Sequence, residues 1–340
     1  MCAGSSARWG YAHYLLEVWS PREIRLMHRV KALLLLLIPA GCADTPQSSR
    51  TTKDTLLVYE AASLALPMRA VLDSFSRATG AVVSEEHGAS LELARRITDL
   101  HRTPDVIALA DHEVFAERLM PAATSWYAAF ARNRMVVAFT PRSRHAAEIT
   151  PDNWRTVLLR PDVLLGRTDP ALAPAGYRAL LMYELAETYY HVPGLARRLE
   201  QQTPPRLLRG NATELAALLS AGELDYIVEY ESVAHAQHFD FIALPSAINL
   251  GDPTQAAAYA AASVRVANNR DTITRRGAPI LYGVSVPRNA LHGPAGARFV
   301  AFLLGPDGRR ILAAAKLDAL DAPVFVGDSI PDVIRSTRTP

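Results

Sequence analysis

The chain has 340 residues, enough for one large or two medium lobes, and its 49% hydrophobic against 21% charged content fits a packed globular protein. Its 36 basic and 34 acidic side chains leave a net charge of +2 with both signs spread along the chain. No basic block is long enough to hold nucleic acid, so a polyanion partner is not expected.

In chain order the first recognisable element is a targeting segment. His28-Arg29-Val30-Lys31 is basic, Ala32 to Ile38 is a leucine-rich apolar run, and Pro39-Ala40-Gly41 places small residues just before Cys42. This resembles a bacterial lipoprotein signal, which implies that Cys42 is lipidated and becomes the first residue of the mature protein. The apolar run is too short for a permanent membrane span; an uncleaved inner-membrane anchor is the alternative. Met27 precedes the basic stretch, so residues 1–26 are expected to be an upstream mis-start or disordered, residues 27–42 the signal peptide, and residues 43–53 a flexible tether. With Cys2 and Cys42 the only cysteines, neither a disulfide nor a cysteine nucleophile is expected after processing.

From Thr55 onward strands alternate with helices. Leu56–Tyr59 reads as a strand, Leu66–Ala78 as a helix stopped by Gly80, and Ala81–Ser84 as a strand. A helix over Leu91–Leu100 and a strand over Val106–Ala110 follow. That order predicts parallel pairing with right-handed crossovers. Met135–Phe139 and Ile280–Val286 are read as the two chain crossings between lobes. They assign residues 54–133 and 284–340 to lobe 1 and residues 134–283 to lobe 2. Lobe 2 is expected to hold helices over Tyr177–Tyr190 and Glu214–Ser220 and strands over Asp225–Glu229 and Phe241–Leu244. After the return strand, helices over Ala295–Leu304 and Gly308–Ala315 are split by Gly305-Pro306-Asp307.

Four helix openings carry the functional signal: Ala61-Ala62-Ser63-Leu64, Gly88-Ala89-Ser90-Leu91, Ala173-Pro174-Ala175-Gly176 and, less clearly, Asn211-Ala212-Thr213-Glu214. A helix start has unpaired N–H groups and partial positive charge, so several of them facing one cleft can hold a dehydrated anion without lysine or arginine. In open parallel sheets ligands sit beyond the carboxyl ends of the strands, where Ser63 and Ser90 fall.

The pattern as a whole resembles the type II periplasmic binding proteins, and among them the tungstate and molybdate receptors of ABC importers, archaeal-type branch. The resemblance runs from about Leu56 to about Asp332. It is carried by Ala62-Ser63-Leu64, Pro104-Asp105-Val106, Asn153-Trp154, Gly176-Tyr177-Arg178, Leu224-Asp225-Tyr226, Glu229-Tyr230, Ile248-Asn249-Leu250 and Phe299 to Gly308. It implies an α/β fold of two parallel-sheet-based lobes, joined by two crossing strands, with a ligand cleft between them. It further implies an extracytoplasmic, membrane-anchored monomer that binds molybdate or tungstate as ligand, needs no cofactor, and delivers its cargo to a membrane permease. The implied ligand-binding residues are Ser63, Leu64, Ser90, Ala173, Pro174, Ala175 and Tyr230. Where the family has two carboxylates that complete six-fold coordination of the metal centre, this chain has Ala173 and Ala212, so no direct protein ligand to the metal and a tetrahedral, four-coordinate anion are expected. Glu214 or Glu229 could substitute for the missing acids, though Glu229 reads rather as an edge or hinge residue.

Plainer readings stand beside these. Ser63 and Ser90 could be ordinary helix N-caps, Tyr230 a crevice wall, and Arg178 the partner of a nearby acid. His235, His238 and Asp240 have spacing that could seat a metal but lack a third strong ligand, and read as exposed. Hydrolase and nucleotide-binding motifs are absent, so an enzyme is not expected. A receptor for sulfate or another oxyanion is the alternative within the class. A cell-envelope enzyme or sensor domain is the alternative outside it.

Overall fold

The computed structural model describes residues 55–268 and 271–338. The expectations for residues 1–26, the signal segment with Cys42, and the tether lie outside the described residues.

The first lobe starts with β1 (Thr55–Ala61), a short helical turn at Ala62–Leu64, and α1 (Ala65–Thr79). Met68, Val71, Leu72 and Phe75 give α1 its buried face. The helix stops where Gly80 takes φ +70° and donates its N–H to the Ser76 carbonyl at 2.8 Å. There follow β2 (Val82–Gly88), α2 (Ser90–Thr98), β3 (Val106–Leu109) and β4 (Trp126–Arg132). β1 pairs in parallel with β2 on one side and β3 on the other, as the alternating pattern predicts.

The chain then enters the second lobe: β5 (Met135–Phe139), α3 (Trp154–Leu158), β6 (Leu165–Thr168), α4 (Pro174–Tyr190), α5 (Leu195–Gln201), β7 (Leu208–Arg209), α6 (Ala212–Ala221), β8 (Tyr226–Tyr230), α7 (Glu231–Ala236) and β9 (Asp240–Ala243). A short helix α8 (Ala256–Tyr259) leads to an antiparallel pair, β10 (Ser263–Asn268) and β11 (Asp271–Arg276). β12 (Leu281–Ser285) returns to the first lobe, which α9 (Gly293–Leu304), α10 (Pro306–Ala314), β13 (Asp318–Gly327) and α11 (Asp332–Arg335) complete.

Two mixed sheets result, ordered β13-β4-β12-β3-β1-β2 and β7-β6-β8-β5-β9. Each contains one parallel trio, β2-β1-β3 and β7-β6-β8, flanked by antiparallel strands. The two strands expected to cross between lobes each belong to a single sheet. β5 pairs along its length with β8 and β9, and β12 pairs only with β3 and β4. The crossings are therefore short links, Asn133-Arg134 and Gly277 to Ile280, and the return falls before residue 284. The links are tied together by the Asn133 N–H, which donates to the Ile280 carbonyl at 3.3 Å. A long buried strand satisfies its backbone groups by pairing within one sheet, which leaves only a few residues to bridge the lobes. β8 is also the middle strand of its sheet, so Glu229 is an interior residue rather than an edge one.

Candidate functional site

The carboxyl ends of the two parallel trios face each other, and the helix starts that follow them meet there. β1 runs into Ala61 and the Ala62–Leu64 turn, β2 into Ala89 and α2, and β3 into Ala110. In the other lobe β6 ends at Thr168 before α4, β7 leads to Asn211 and α6, and β8 ends at Tyr230. Residues from all six ends line one small cavity of about 20 Å³, measured as space open to the centre of a water-sized sphere. A single water needs about 10–15 Å³ by that measure, so the cavity suits one compact guest. No charged side chain is among its lining residues.

Of the sequence-expected residues, Ser63, Ser90, Ala173, Pro174, Ala175 and Tyr230 all line this cavity, as does Ala212. Leu64 does not: its side chain is fully buried in the hydrophobic core under α1. Ala61, Ala89 and Ala173 occupy the N-cap positions, and none of these starts has a side-chain cap. Alanine offers no side-chain oxygen to the first-turn N–H groups, although backbone carbonyls take two of them, Leu172 that of Leu91 and Ala173 that of Gly176. The start of α6 differs. Asn211 Oδ1 accepts from the Glu214 N–H at 3.0 Å, while Glu214 takes the Asn211 amide and the Gly210 N–H. Glu214 is thus a capping-box side chain held outside the cavity, and does not stand in for a missing acid.

Neither serine is an N-cap. Ser90 Oγ accepts the Ala110 N–H at 3.0 Å, and Ser63 Oγ lies 3.0 Å from Tyr282 Oη. The Tyr230 oxygen accepts from Arg178 Nη1 at 2.7 Å. Burial, despite the neighbouring guanidinium, keeps the Tyr230 phenol well above its ordinary pKa and therefore protonated. An accepted hydrogen bond leaves each of Ser90 and Tyr230 with its own proton to donate.

Arg178 joins the lobes behind the cavity. From α4 it donates to the Ala110 carbonyl at 2.6 Å and pairs with Asp111, whose carboxylate also accepts from Tyr177. Burial alone would raise Asp111; the Arg178 guanidinium and the Tyr177 hydroxyl outweigh it and hold the carboxyl below its usual range. The Leu91 N–H, donating to the Leu172 carbonyl at 3.2 Å, is a second bridge. Within the second lobe Gly176 lets the start of α4 lie tight against the end of β6, since a Cβ there would lie 2.5 Å from the Thr168 carbonyl oxygen.

One residue of the site was not anticipated. Thr168, fully buried, lines the cavity with an Oγ1 that has no protein partner. It closes β6 at the same sheet end that Ser63 and Ser90 follow, but the four-residue strand Leu165–Thr168 gives too brief a periodic signal to be read.

Glu229 is shut away without reaching the cavity. Burial pushes its carboxyl up to about 8, and one oxygen accepts the Tyr230 N–H at 2.9 Å. His235 pairs with Glu231 at 3.4 Å and packs against Phe241. Among the described residues, metal-capable side chains gather at Glu60, Glu85 and His87, where His87 faces Glu60 and Arg69 already pairs with Glu85.

Residues 56–315 match the family described as bacterial extracellular solute-binding protein. The chain belongs to this family. As a solute-binding protein it is 40% identical to an uncharacterized solute-binding protein of Petrotoga mobilis over 271 residues, 79% of this chain and 84% of the relative. It is 32% identical to the molybdate/tungstate-binding protein WtpA of Thermococcus kodakarensis, over 89% of this chain and 93% of that protein. Two solved structures share its fold at 15% identity and a TM-score of 0.56. The sulfate-binding protein SubI of Mycobacterium tuberculosis covers 83% of this chain and 89% of its own, and the periplasmic molybdate-binding protein of Azotobacter vinelandii 77% and 98%. The fold of this solute-binding protein is therefore that of the periplasmic binding proteins. No helix among the described residues is long and apolar enough to cross a membrane.

Proposed function

We propose that this solute-binding protein captures a fully ionised tetrahedral oxyanion, molybdate or tungstate, between its lobes and delivers it to the permease of an ABC importer. The observation that carries this reading is the direction of the cavity's hydroxyls. Ser90 and Tyr230 each accept a hydrogen bond from the protein and retain a proton for the guest; Thr168 has an uncommitted hydroxyl; and no carboxylate lines the space. Uncapped helix starts from both lobes add backbone donors of the same polarity. Such a cavity suits a guest that only accepts. Hydrogen phosphate carries a proton that no carboxylate in the lining can take, and handing it to the Thr168 hydroxyl or to the remaining lone pair of Asn211 Oδ1 is a weaker arrangement than a charged acceptor provides.

The guest touches both lobes, so it favours the closed arrangement by its differential contacts. Hydrogen bonds to a charged partner contribute about 1.5–3 kcal/mol each, so a handful can exceed the costs of ordering and closure. The reading is of a binder rather than a catalyst, because the Ser90 hydroxyl oxygen accepts from a backbone N–H and no histidine lines the cavity. Anchoring through a lipidated Cys42 and a monomeric state belong to the same proposal.

Ala173 and Ala212 favour one further reading, a sulfate receptor: with alanine at both places, nothing in the lining singles out a transition-metal centre. Thermal shifts with molybdate, tungstate, sulfate and phosphate test both. The main reading expects stabilisation by molybdate and tungstate, weaker by sulfate and none by phosphate. Sulfate alone would favour the second reading, and equal stabilisation by phosphate would contradict both.

A further inference from the structure

We infer that Asn133 and Tyr282 are positioning residues that aim the Ser63 hydroxyl into the cavity, through a one-directional chain of hydrogen bonds running from the first interlobe link. The inference rests on the cavity being an oxyanion site and adds how one of its donors is set.

The direction of the chain follows from Asn133. Its Oδ1 accepts two backbone N–H groups, those of Arg134 at 2.9 Å and Ser232 at 3.4 Å. Backbone amides can only donate, so the amide oxygen must face them and the amide nitrogen must face the other way. Nδ2 then gives its two hydrogens to Ser232 Oγ at 2.7 Å and Tyr282 Oη at 3.1 Å. Having accepted from Asn133, the Tyr282 hydroxyl has one proton left to place. Ser63 Oγ stands 3.0 Å away, and both groups are buried. Burial lifts the Tyr282 phenol far above its ordinary pKa, so it stays protonated. Donation to Ser63 satisfies it, and a buried hydroxyl with its proton unmet would be costly. Ser63 is thereby an acceptor toward Tyr282, and its proton is left for the cavity that it lines.

Neither Asn133 nor Tyr282 lines that cavity, so both act through Ser63. Asn133 also sits in the link between β4 and β5, bonded to Ser232 of the second lobe and to Ile280 of the return link. The direction of a first-lobe donor is therefore set where the lobes join.

A double-mutant cycle on the full chain, read by calorimetric titration with molybdate, tests this. Tyr282→Phe keeps the ring and removes the hydroxyl, and with it both the relayed proton and the acceptor for Asn133 Nδ2, after which the Ser63 hydroxyl is free to turn. It is expected to weaken binding about tenfold. Ser63→Ala is expected to weaken it at least as much, and the double variant no further than Ser63→Ala alone. Additive losses in the double variant, or full affinity in Tyr282→Phe, overturn the relay while leaving the oxyanion site in place. Full affinity in Ser63→Ala overturns the relay because its endpoint is then not a ligand. No binding by the parent chain of molybdate, tungstate or sulfate overturns the relay together with the functional reading beneath it. Should Tyr282→Phe not fold, Asn133→Ala enters the same cycle with the same expectations.

Discussion

Arg178 donates from Nη1 to the phenol oxygen of Tyr230 at 2.7 Å, with both side chains buried at the junction of the lobes. A cation placed behind a hydroxyl, rather than in the cavity, polarises the donor without offering itself to the guest. Its charge is balanced by Asp111, so the pair adds direction and little net field.

Tyr230→Phe should therefore lower molybdate affinity by about ten- to a hundredfold, the usual value of one hydrogen bond to a charged partner. Arg178 retains the Ala110 carbonyl and Asp111, so the fold should persist. Calorimetric titration with a circular dichroism melt checks both halves, and unchanged affinity would remove Tyr230 from the site.

Thr168→Val separates binding from stability by sign. The hydroxyl has no protein partner, so replacing it by a methyl group should leave thermal stability of the free protein unchanged or raise it by about 1 kcal/mol. Molybdate affinity should fall about tenfold at the same time. A variant that melts lower and binds as well as the parent would mark Thr168 as structural.

Glu229 gives a pH dependence. Its folded pKa, raised to about 8 from an ordinary 4.5, means that the folded state holds a proton which the unfolded state releases. Its contribution is complete below pH 4.5, declines as pH climbs to 8, and is flat beyond. Glu60, raised to about 7 by burial, has the same sign. Glu229→Gln keeps an acceptor for the Tyr230 N–H, so its melting temperature should match the parent near pH 5 and exceed it by a few degrees at pH 8. An equal gap at both pH values would show that Glu229 is ionised throughout.

The sequence was legible where local chemistry and fold agree. Alternation of short apolar runs with amphipathic helices announced the parallel trio of the first lobe, and Gly80 marked the end of α1, whereas in the second lobe β8 was read and the short strands β6 and β7 were not. Ser63 and Ser90 could be placed because each follows a strand that the pattern shows, and the Pro174 opening because proline suits the first turn of a helix. Other features are written in tertiary context. β4, Trp-Tyr-Ala-Ala-Phe-Ala-Arg, is buried on both faces, so it has no strand alternation, and its alanines dilute the strand propensity of its aromatic residues. The β10–β11 pair is polar along much of its length. Arg178 was read as an acid's partner, which Asp111 is, but its hold on Tyr230 joins residues 52 apart and leaves no local trace. The Leu64 side chain belongs to the core, since adjacency to Ser63 does not turn it toward the cavity.

The central claim is that hydrogen-bond donors alone, with no protein carboxylate, surround the bound oxyanion. X-ray absorption at the tungsten edge, on the tungstate-loaded protein, tests it most directly. The account predicts four short oxygens around the metal and no others. A six-coordinate tungsten, with two further oxygens supplied by the protein, would contradict it.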